Sequence, residues 1–117
     1  MSRVLIALHG RLIRRSVLNA VFNYCREMKF KVNVLLVDGG EALSPVLMDF
    51  LTSLKQAGLH GCLYRQPGPI GQAVLDHASL HKDIRLILVD SMKNWGTGVS
   101  MRALSQPVGL LSGIVAS

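Results

Sequence analysis

Residues 90–98 form a glycine-bearing segment, DSMKNWGTG, that directly follows the apolar run IRLILV. A loop of this kind after a buried strand can hold phosphate, because backbone N–H groups and a following helix N-terminus attract anions. Asp90 works against this chemistry, because a carboxylate at the start of the loop repels phosphate and crowds the approach to the backbone.

A basic cluster follows the first apolar run, RVLIAL. His9 and Gly10 come at the end of this run, and the arginines that follow are Arg11, Arg14 and Arg15. Arginines in the first turn of a helix add charge-assisted donors to the positive end of the helix dipole. They define a candidate anion site, with a solvated basic face as the more common alternative for such a cluster.

Other pairs of reactive side chains lack the context that their chemistry needs. His77 and His81 have the i, i+4 spacing of a helical metal pair, but there is no HExxH sequence, so we predict that both lie on the surface. Asp38 and Asp90 follow two apolar runs and could bind magnesium, but the acidic pair and phosphorylatable aspartate of a receiver domain are missing. No nucleophile elbow is present. We therefore predict no catalytic residue and no metal site.

The elements that must position these residues alternate between two kinds. Short apolar runs at 3–8, 31–38 and 83–90 are typical of strands covered on both faces, the less apolar run at 59–65 suits an edge strand, and a fifth strand follows Pro107. Amphipathic segments lie between them, one of which has a clear start at Ser44 and Pro45. The pattern predicts one domain, residues 1–117, with a doubly wound, five-stranded parallel sheet between two layers of helices. Ligands of such folds bind beyond the carboxyl ends of the strands.

Composition narrows the class of protein further. The chain has 117 residues, half of them hydrophobic, but no apolar run approaches the roughly 18 residues of a membrane span. The N-terminus lacks a signal-peptide pattern, and Cys25 and Cys62 are predicted to be buried, reduced thiols, so we expect a cytoplasmic protein. The net charge of +6 favours anionic partners, but the few aromatic residues offer no stacking platform and argue against nucleic acid.

Several stretches together resemble a universal stress protein domain. The opening strand VLIALHG is similar to the V-L-V-x-x-D-G-S start of that family, with His9 in place of the usual acid. The run AGLHGCLYRQPGPIGQAVLDHA followed by DIRLILVDS matches its third crossover and fourth strand, and Pro107-Val108 match the start of its last strand. The resemblance implies the three-layer fold of flavodoxin-like and adenine-nucleotide hydrolase-like proteins.

The resemblance also implies a function and a ligand. Nucleotide-binding members of the family carry G-x2-G-x9-G-(S/T) after the fourth strand, whereas this chain has Asp90 and Lys93 at the first two glycines and lacks most of the spacer. It therefore implies a regulatory or binding module of the stress response, not an enzyme, with ATP binding weakened or lost. If an adenine nucleotide binds, the contacts implied near the base and sugar are His9, Gly10 and Val37, with Ser91, Gly96, Thr97 and Gly98 near phosphate.

The resemblance also implies a partner, and it leaves two other functions open. The last strand of the family commonly pairs with its copy, so we expect a homodimer through residues 107–116, and an unidentified protein partner is a further possibility. Two alternative functions remain: an adenine-nucleotide-binding protein with an altered phosphate loop, and an enzyme of the related nucleotide-hydrolase-like folds.

Overall fold

The structure, a computed structural model, describes residues 2–10, 13–40, 43–90, 95–96, 100–111 and 113. Within these residues strands and helices alternate along the chain. The elements are β1 (Arg3–His9), α1 (Arg15–Met28), β2 (Lys31–Val37), α2 (Pro45–Gln56), β3 (His60–Gln66), α3 (Ile70–Leu80), β4 (Ile84–Val89), a short 3₁₀ helix (Met101–Ala103) and β5 (Val108–Leu110). This order agrees with the predicted alternation.

The five strands form one parallel sheet in the order β3-β2-β1-β4-β5. The predicted α/β fold with a five-stranded parallel sheet is thus confirmed. The chain moves outward from β1 through β2 to β3, and then returns to place β4 on the other side of β1. This reversal makes the carboxyl ends of β1 and β4 the topological switch point, where folds of this type bind ligands.

Two apolar layers bury the sheet. On β1, Val4, Ile6 and Leu8 face the layer shared with α1 and α2, whereas Leu5 and Ala7 face the layer shared with α3. All five residues are fully buried, because alternate side chains of a strand point to opposite faces and helices cover both. The continuous apolar run of β1 therefore reflects a strand with no exposed face.

The start of α2 follows the sequence signals closely. Ser44 adopts an extended conformation at the N-cap, and its side chain accepts a hydrogen bond from Leu47 N at 3.2 Å. Pro45 occupies the first turn, where its missing N–H costs no helical bond. After the helix, Gly58 has a φ of +75°, which lets the chain turn into β3. The predicted start of α2 is confirmed.

Two expectations from the sequence were wrong. Cys25 is buried on α1, and burial raises its thiol pKa to about 12, but Cys62 is exposed. Cys62 lies on the edge strand β3, and α3, which covers this side of the sheet, packs mainly on β1 and β2. The fifth strand, which the apolar run VGLLSGIVA after Pro107 predicts, is also shorter than that run, since β5 ends at Leu110 and Leu111 is already helical.

None of the helices in the described part of the chain combines the length and hydropathy that crossing a membrane requires.

Candidate functional site

The switch point is bridged by a hydrogen bond between β1 and the end of β4. The backbone N–H of His9 donates to Asp90 Oδ2 at 3.0 Å, and Asp90 N donates to the carbonyl of Ala7 at 3.2 Å. The other carboxylate oxygen, Asp90 Oδ1, is buried and has no hydrogen-bond partner among the described residues. A carboxylate thus occupies the point where the fold would present donors to an anionic ligand.

Asp38 connects three loops at the same edge of the sheet. It follows β2 with a φ of +53°, its Oδ1 accepts from Gly68 N at 3.0 Å, and its Oδ2 lies 3.6 Å from His9 Nε2. A Cβ on Gly68 would lie 2.5 Å from Asp38 Oδ2, so a larger residue here would displace the Asp38 carboxylate. The link between Asp38 and Gly68 was not recognised from the sequence.

The predicted base and sugar contacts come together at the end of the neighbouring strands. Gly10 N donates to the carbonyl of Val37 at 3.0 Å, which extends the pairing of β1 with β2 by one bond. The Val37 side chain is fully buried in the layer shared with α3. The structure therefore places His9, Gly10 and Val37 side by side, although the Val37 carbonyl already has a partner.

A cleft of about 270 Å³ lies beside these residues, between the ends of β2 and β3. Its lining consists of Leu36, Asp38, Gly39, Gly40, Arg65, Gln66 and Pro67. Arg65 Nη1 donates to the carbonyl of Gly40 at 3.0 Å across it. The cleft is slightly smaller than the roughly 300–1,000 Å³ of most small-molecule pockets.

Trp95 folds back onto the protein. Its side chain is buried with the α3 layer, and its carbonyl accepts a hydrogen bond from Gly71 N at 2.8 Å. A Cβ on Gly71 would lie 2.6 Å from this carbonyl, so glycine allows the contact. The Trp95 carbonyl therefore satisfies one of the free N–H groups in the first turn of α3, which an anion would otherwise attract.

The predicted basic cluster is only partly described. Arg14 is exposed at the N-cap of α1, and Arg15 forms an ion pair with Asp49 of α2, with Nη1 and Oδ2 2.8 Å apart. The remaining arginine of this cluster, Arg11, lies outside the described residues.

The candidate phosphate contacts Ser91, Thr97 and Gly98 also lie outside the described residues, whereas Gly96 has a φ of +96° and packs close to Pro69. The anion and nucleotide sites stay predictions.

The prediction that His77 lies on the surface was wrong. His77 shares the inner stripe of α3 with Ile70 and Val74 and is only 6% exposed. Its ring stacks on His81, with centroids 4.2 Å apart. Burial, the charge of His81 and the charge of Arg3 lower the pKa of His77 to about 4. Its other partner is Asn33 of β2, whose amide nitrogen lies 3.0 Å from His77 Nε2. The sequence held one sign of this contact, because Asn33 is a polar residue inside the apolar run KVNVLLV.

By sequence, no family model and no curated protein matches the chain. By structure, it is similar to a universal stress protein family protein from Burkholderia pseudomallei, with a TM-score of 0.60 and 13% identity over 91% of this chain and 93% of that one. UspA from Lactobacillus plantarum also matches, with a TM-score of 0.46 and 15% identity over 94% and 99% of the two chains. At these identities the similarity concerns the fold. The chain therefore has the universal-stress-protein-like fold that its sequence predicted.

Proposed function

We propose that this chain is a universal-stress-protein-like regulatory or binding module of the stress response in which ATP binding is weakened or lost. The observation that carries the proposal is the hydrogen bond from His9 N to Asp90 Oδ2 at the switch point. A backbone N–H that could face a ligand is already bonded to an anion of the chain itself.

The electrostatics of Asp90 support the same conclusion. Phosphate binding at a strand end depends on free N–H groups and on the absence of competing negative charge. Asp90 removes one donor, and its buried second oxygen has no donor of its own in the described structure. A phosphate group brought here would meet a carboxylate in a poorly solvated position, where like charges repel strongly.

The neighbouring loops add two smaller obstacles. The N–H of Gly71, at the start of α3, is bonded to the Trp95 carbonyl. The cleft beside Asp38 is also small for a nucleotide. Binding by an altered loop remains the alternative, supported by the proximity of His9, Gly10 and Val37 at one edge of the sheet.

The test is nucleotide binding before and after removal of the carboxylate. We expect no shift in melting temperature or Trp95 fluorescence when the wild-type protein is mixed with ATP, ADP or AMP at millimolar concentration. Asp90→Gly frees the His9 N–H and removes the charge, so we expect this variant to gain measurable ATP binding. Asp76→Asn, which removes an exposed charge from α3, is the control and should not gain it.

Two results would contradict the proposal. Saturable ATP binding by the wild-type protein would favour the alternative of a functional nucleotide site, and hydrolysis of the bound ATP would favour the enzyme. Failure of folded Asp90→Gly to bind ATP would show that Asp90 is not what prevents binding.

We also propose that the chain forms a homodimer through β5. This strand lies at one edge of the sheet, pairs with β4 in the described structure, and carries Leu110 with 43% of its surface exposed. An apolar edge strand with open backbone groups is prone to pair with another strand, and a second copy would satisfy both its apolar side chain and its backbone.

Sedimentation velocity tests the dimer with a matched pair of variants. We expect Leu110→Glu to sediment as a monomer, because a charge would be buried in the interface. Leu80→Glu is the control, since Leu80 is 80% exposed on α3 and should not affect assembly. A Leu110→Glu protein that sediments like the wild type would contradict pairing through β5.

A further inference from the structure

We propose that Arg3, Asn33 and His77 form an acid-sensitive latch, which holds the C-terminal half of α3 on the sheet at neutral pH and releases it when His77 takes up a proton. The latch lies at the end of the sheet opposite to the candidate ligand site. It joins Arg3, the first residue of β1, and Asn33, the third residue of β2, to a buried face of α3.

Four side chains make a continuous chain of contacts. Asp83 accepts a hydrogen bond from Arg3 Nε at 2.8 Å, and Arg3 Nη1 donates to Asn33 Oδ1 at 2.8 Å. The amide nitrogen of Asn33 lies 3.0 Å from His77 Nε2. Asn33 and His77 are 1% and 6% exposed, so water does not readily replace either partner.

The direction of each bond determines the protonation state of His77. Arg3 can only donate, so the Asn33 atom that faces it must be the amide oxygen. The amide NH₂ of Asn33 therefore faces His77 and donates to Nε2, which must be unprotonated. His77 is thus neutral in the folded protein, with its proton on Nδ1.

Protonation of His77 cannot be accommodated by rotating the partners. A proton on Nε2 would face the donating NH₂ of Asn33, and turning the Asn33 amide would instead point its NH₂ at the guanidinium of Arg3. A buried donor would lack an acceptor in either arrangement. The remaining way to relieve the conflict is to move His77, and the helix that carries it, away from β2.

The surroundings of His77 also disfavour positive charge. The titratable or charged groups around it are Arg3 of β1, Tyr64 of β3, His81 of α3 and, beyond Arg3, Asp83. The ring of Tyr64 meets His77 edge-on at 4.6 Å, and the only carboxylate in this group is engaged by Arg3. The described surroundings therefore contain no anion in direct contact with His77 that would stabilise its charged form.

The sign of the pH effect follows from these contacts. Burial, His81 and Arg3 lower the pKa of His77 from 6.5 to about 4. Between these two pH values His77 remains neutral in the closed protein but takes up a proton when α3 is open. Closure is favoured fully above pH 6.5, and the advantage is lost as the pH falls from 6.5 towards 4. Between pH 7 and pH 5 the opening equilibrium of α3 should increase roughly twentyfold.

Amide hydrogen exchange of the full-length chain at these two pH values tests the latch, after correction for intrinsic exchange rates. We expect residues 74–80 of α3 to open roughly twentyfold more often at pH 5, relative to residues 18–25 of α1. His77→Gln keeps an acceptor for Asn33 but does not titrate, so its α3 should lose this response. His60→Asn removes an exposed histidine from β3 and should retain it.

The proposal would be overturned if, between pH 7 and pH 5, the corrected amide exchange of α1 and α3 in the wild-type protein increased equally. It would also be overturned if α3 of His77→Gln showed the same increase as α3 of the wild type. If His77→Gln does not fold, the ring ¹⁵N chemical shifts of wild-type His77 test the proposal instead, because they report the protonation state and tautomer of the ring. We expect the Nδ1–H tautomer to persist to pH 5, and a ring that is protonated at pH 6 or carries its proton on Nε2 would also overturn the proposal.

Discussion

The two ends of the sheet contain polar groups of similar types, but these groups are satisfied to different degrees. At the amino ends of the strands, Asn33 uses both atoms of its amide, one towards Arg3 and one towards His77. At the carboxyl ends, Asp90 uses one oxygen towards His9 N, and its buried Oδ1 has no partner in the described structure.

This difference separates a structural role from a candidate functional one. A buried polar network in which every group is paired stabilises one arrangement of the elements around it. A buried polar atom without a partner lowers stability and is uncommon in native proteins, so its place at a ligand-binding edge of the fold is informative. The difference fits the proposed pH-dependent latch at the His77 end and the proposed loss of ATP binding at the Asp90 end.

The largest expected effect comes from breaking the satisfied end. Asn33→Leu keeps a similar volume but leaves His77 Nε2 and Arg3 Nη1 without this partner, so the free energy of unfolding should fall by about 3 kcal/mol. Urea denaturation measures the loss. Asn23→Leu on the exposed side of α1 is the matched control and should change stability by less than about 0.5 kcal/mol.

A double variant sharpens the interpretation of this loss. Asn33→Leu combined with His77→Phe removes both the donor and the acceptor, so part of the lost stability should return. If Asn33→Leu alone were as stable as the wild type, the Asn33 network would not be holding α3 in place.

An intermediate effect is expected where the loops of the other end meet. Gly68→Ala would place a Cβ 2.5 Å from Asp38 Oδ2 and 3.3 Å from Val37 Cγ1, so the Asp38 carboxylate must move. We expect a loss of about 1 kcal/mol in urea denaturation, since one hydrogen bond to a charged group is weakened at an exposed position. The nearby His9 ring should also change its NMR chemical shifts.

The control for Gly68→Ala is Gly113→Ala, where an added Cβ meets nothing within 4 Å. Unchanged His9 chemical shifts in Gly68→Ala would contradict the role given to Asp38, because its carboxylate would then not depend on the absence of a side chain at Gly68.

The smallest expected effect is at Asp90. Asp90→Asn keeps an oxygen that can accept from His9 N and replaces a buried carboxylate, so the free energy of unfolding should change by less than about 1 kcal/mol. Denaturation in urea beside Asn33→Leu compares the two ends directly. A loss from Asp90→Asn as large as that from Asn33→Leu would remove the distinction between them.

Local patterns in the sequence were sufficient for most of the fold. The hydroxyl of Ser44 and the ring of Pro45 act within one turn of chain, so the start of α2 could be predicted. The mixed composition of residues 59–65 also pointed to an edge strand, and the strand order confirms that β3 lies at an edge. The exposure of Cys62 could not be predicted, because it depends on how far α3 extends over that edge.

The candidate site was also predicted only in part from the sequence. The sequence showed that an aspartate stands where the related phosphate loop has glycine, but not what that aspartate binds. His77 was misjudged because its i, i+4 neighbour His81 is local, whereas its partner Asn33 comes from another strand. The contact of Gly68 with Asp38 was missed for the same reason, because it spans 30 residues.

By itself, the sequence determined the alternation of strands and helices, the parallel sheet and the negative charge of Asp90 directly after β4, because these depend on side-chain period and on residue type. Tertiary structure alone decided which polar groups meet. His9 and Asp90 are 81 residues apart, and Asn33 and His77 are 44 apart. Such contacts depend on the order and register of the strands, which bring distant residues together at opposite ends of one sheet.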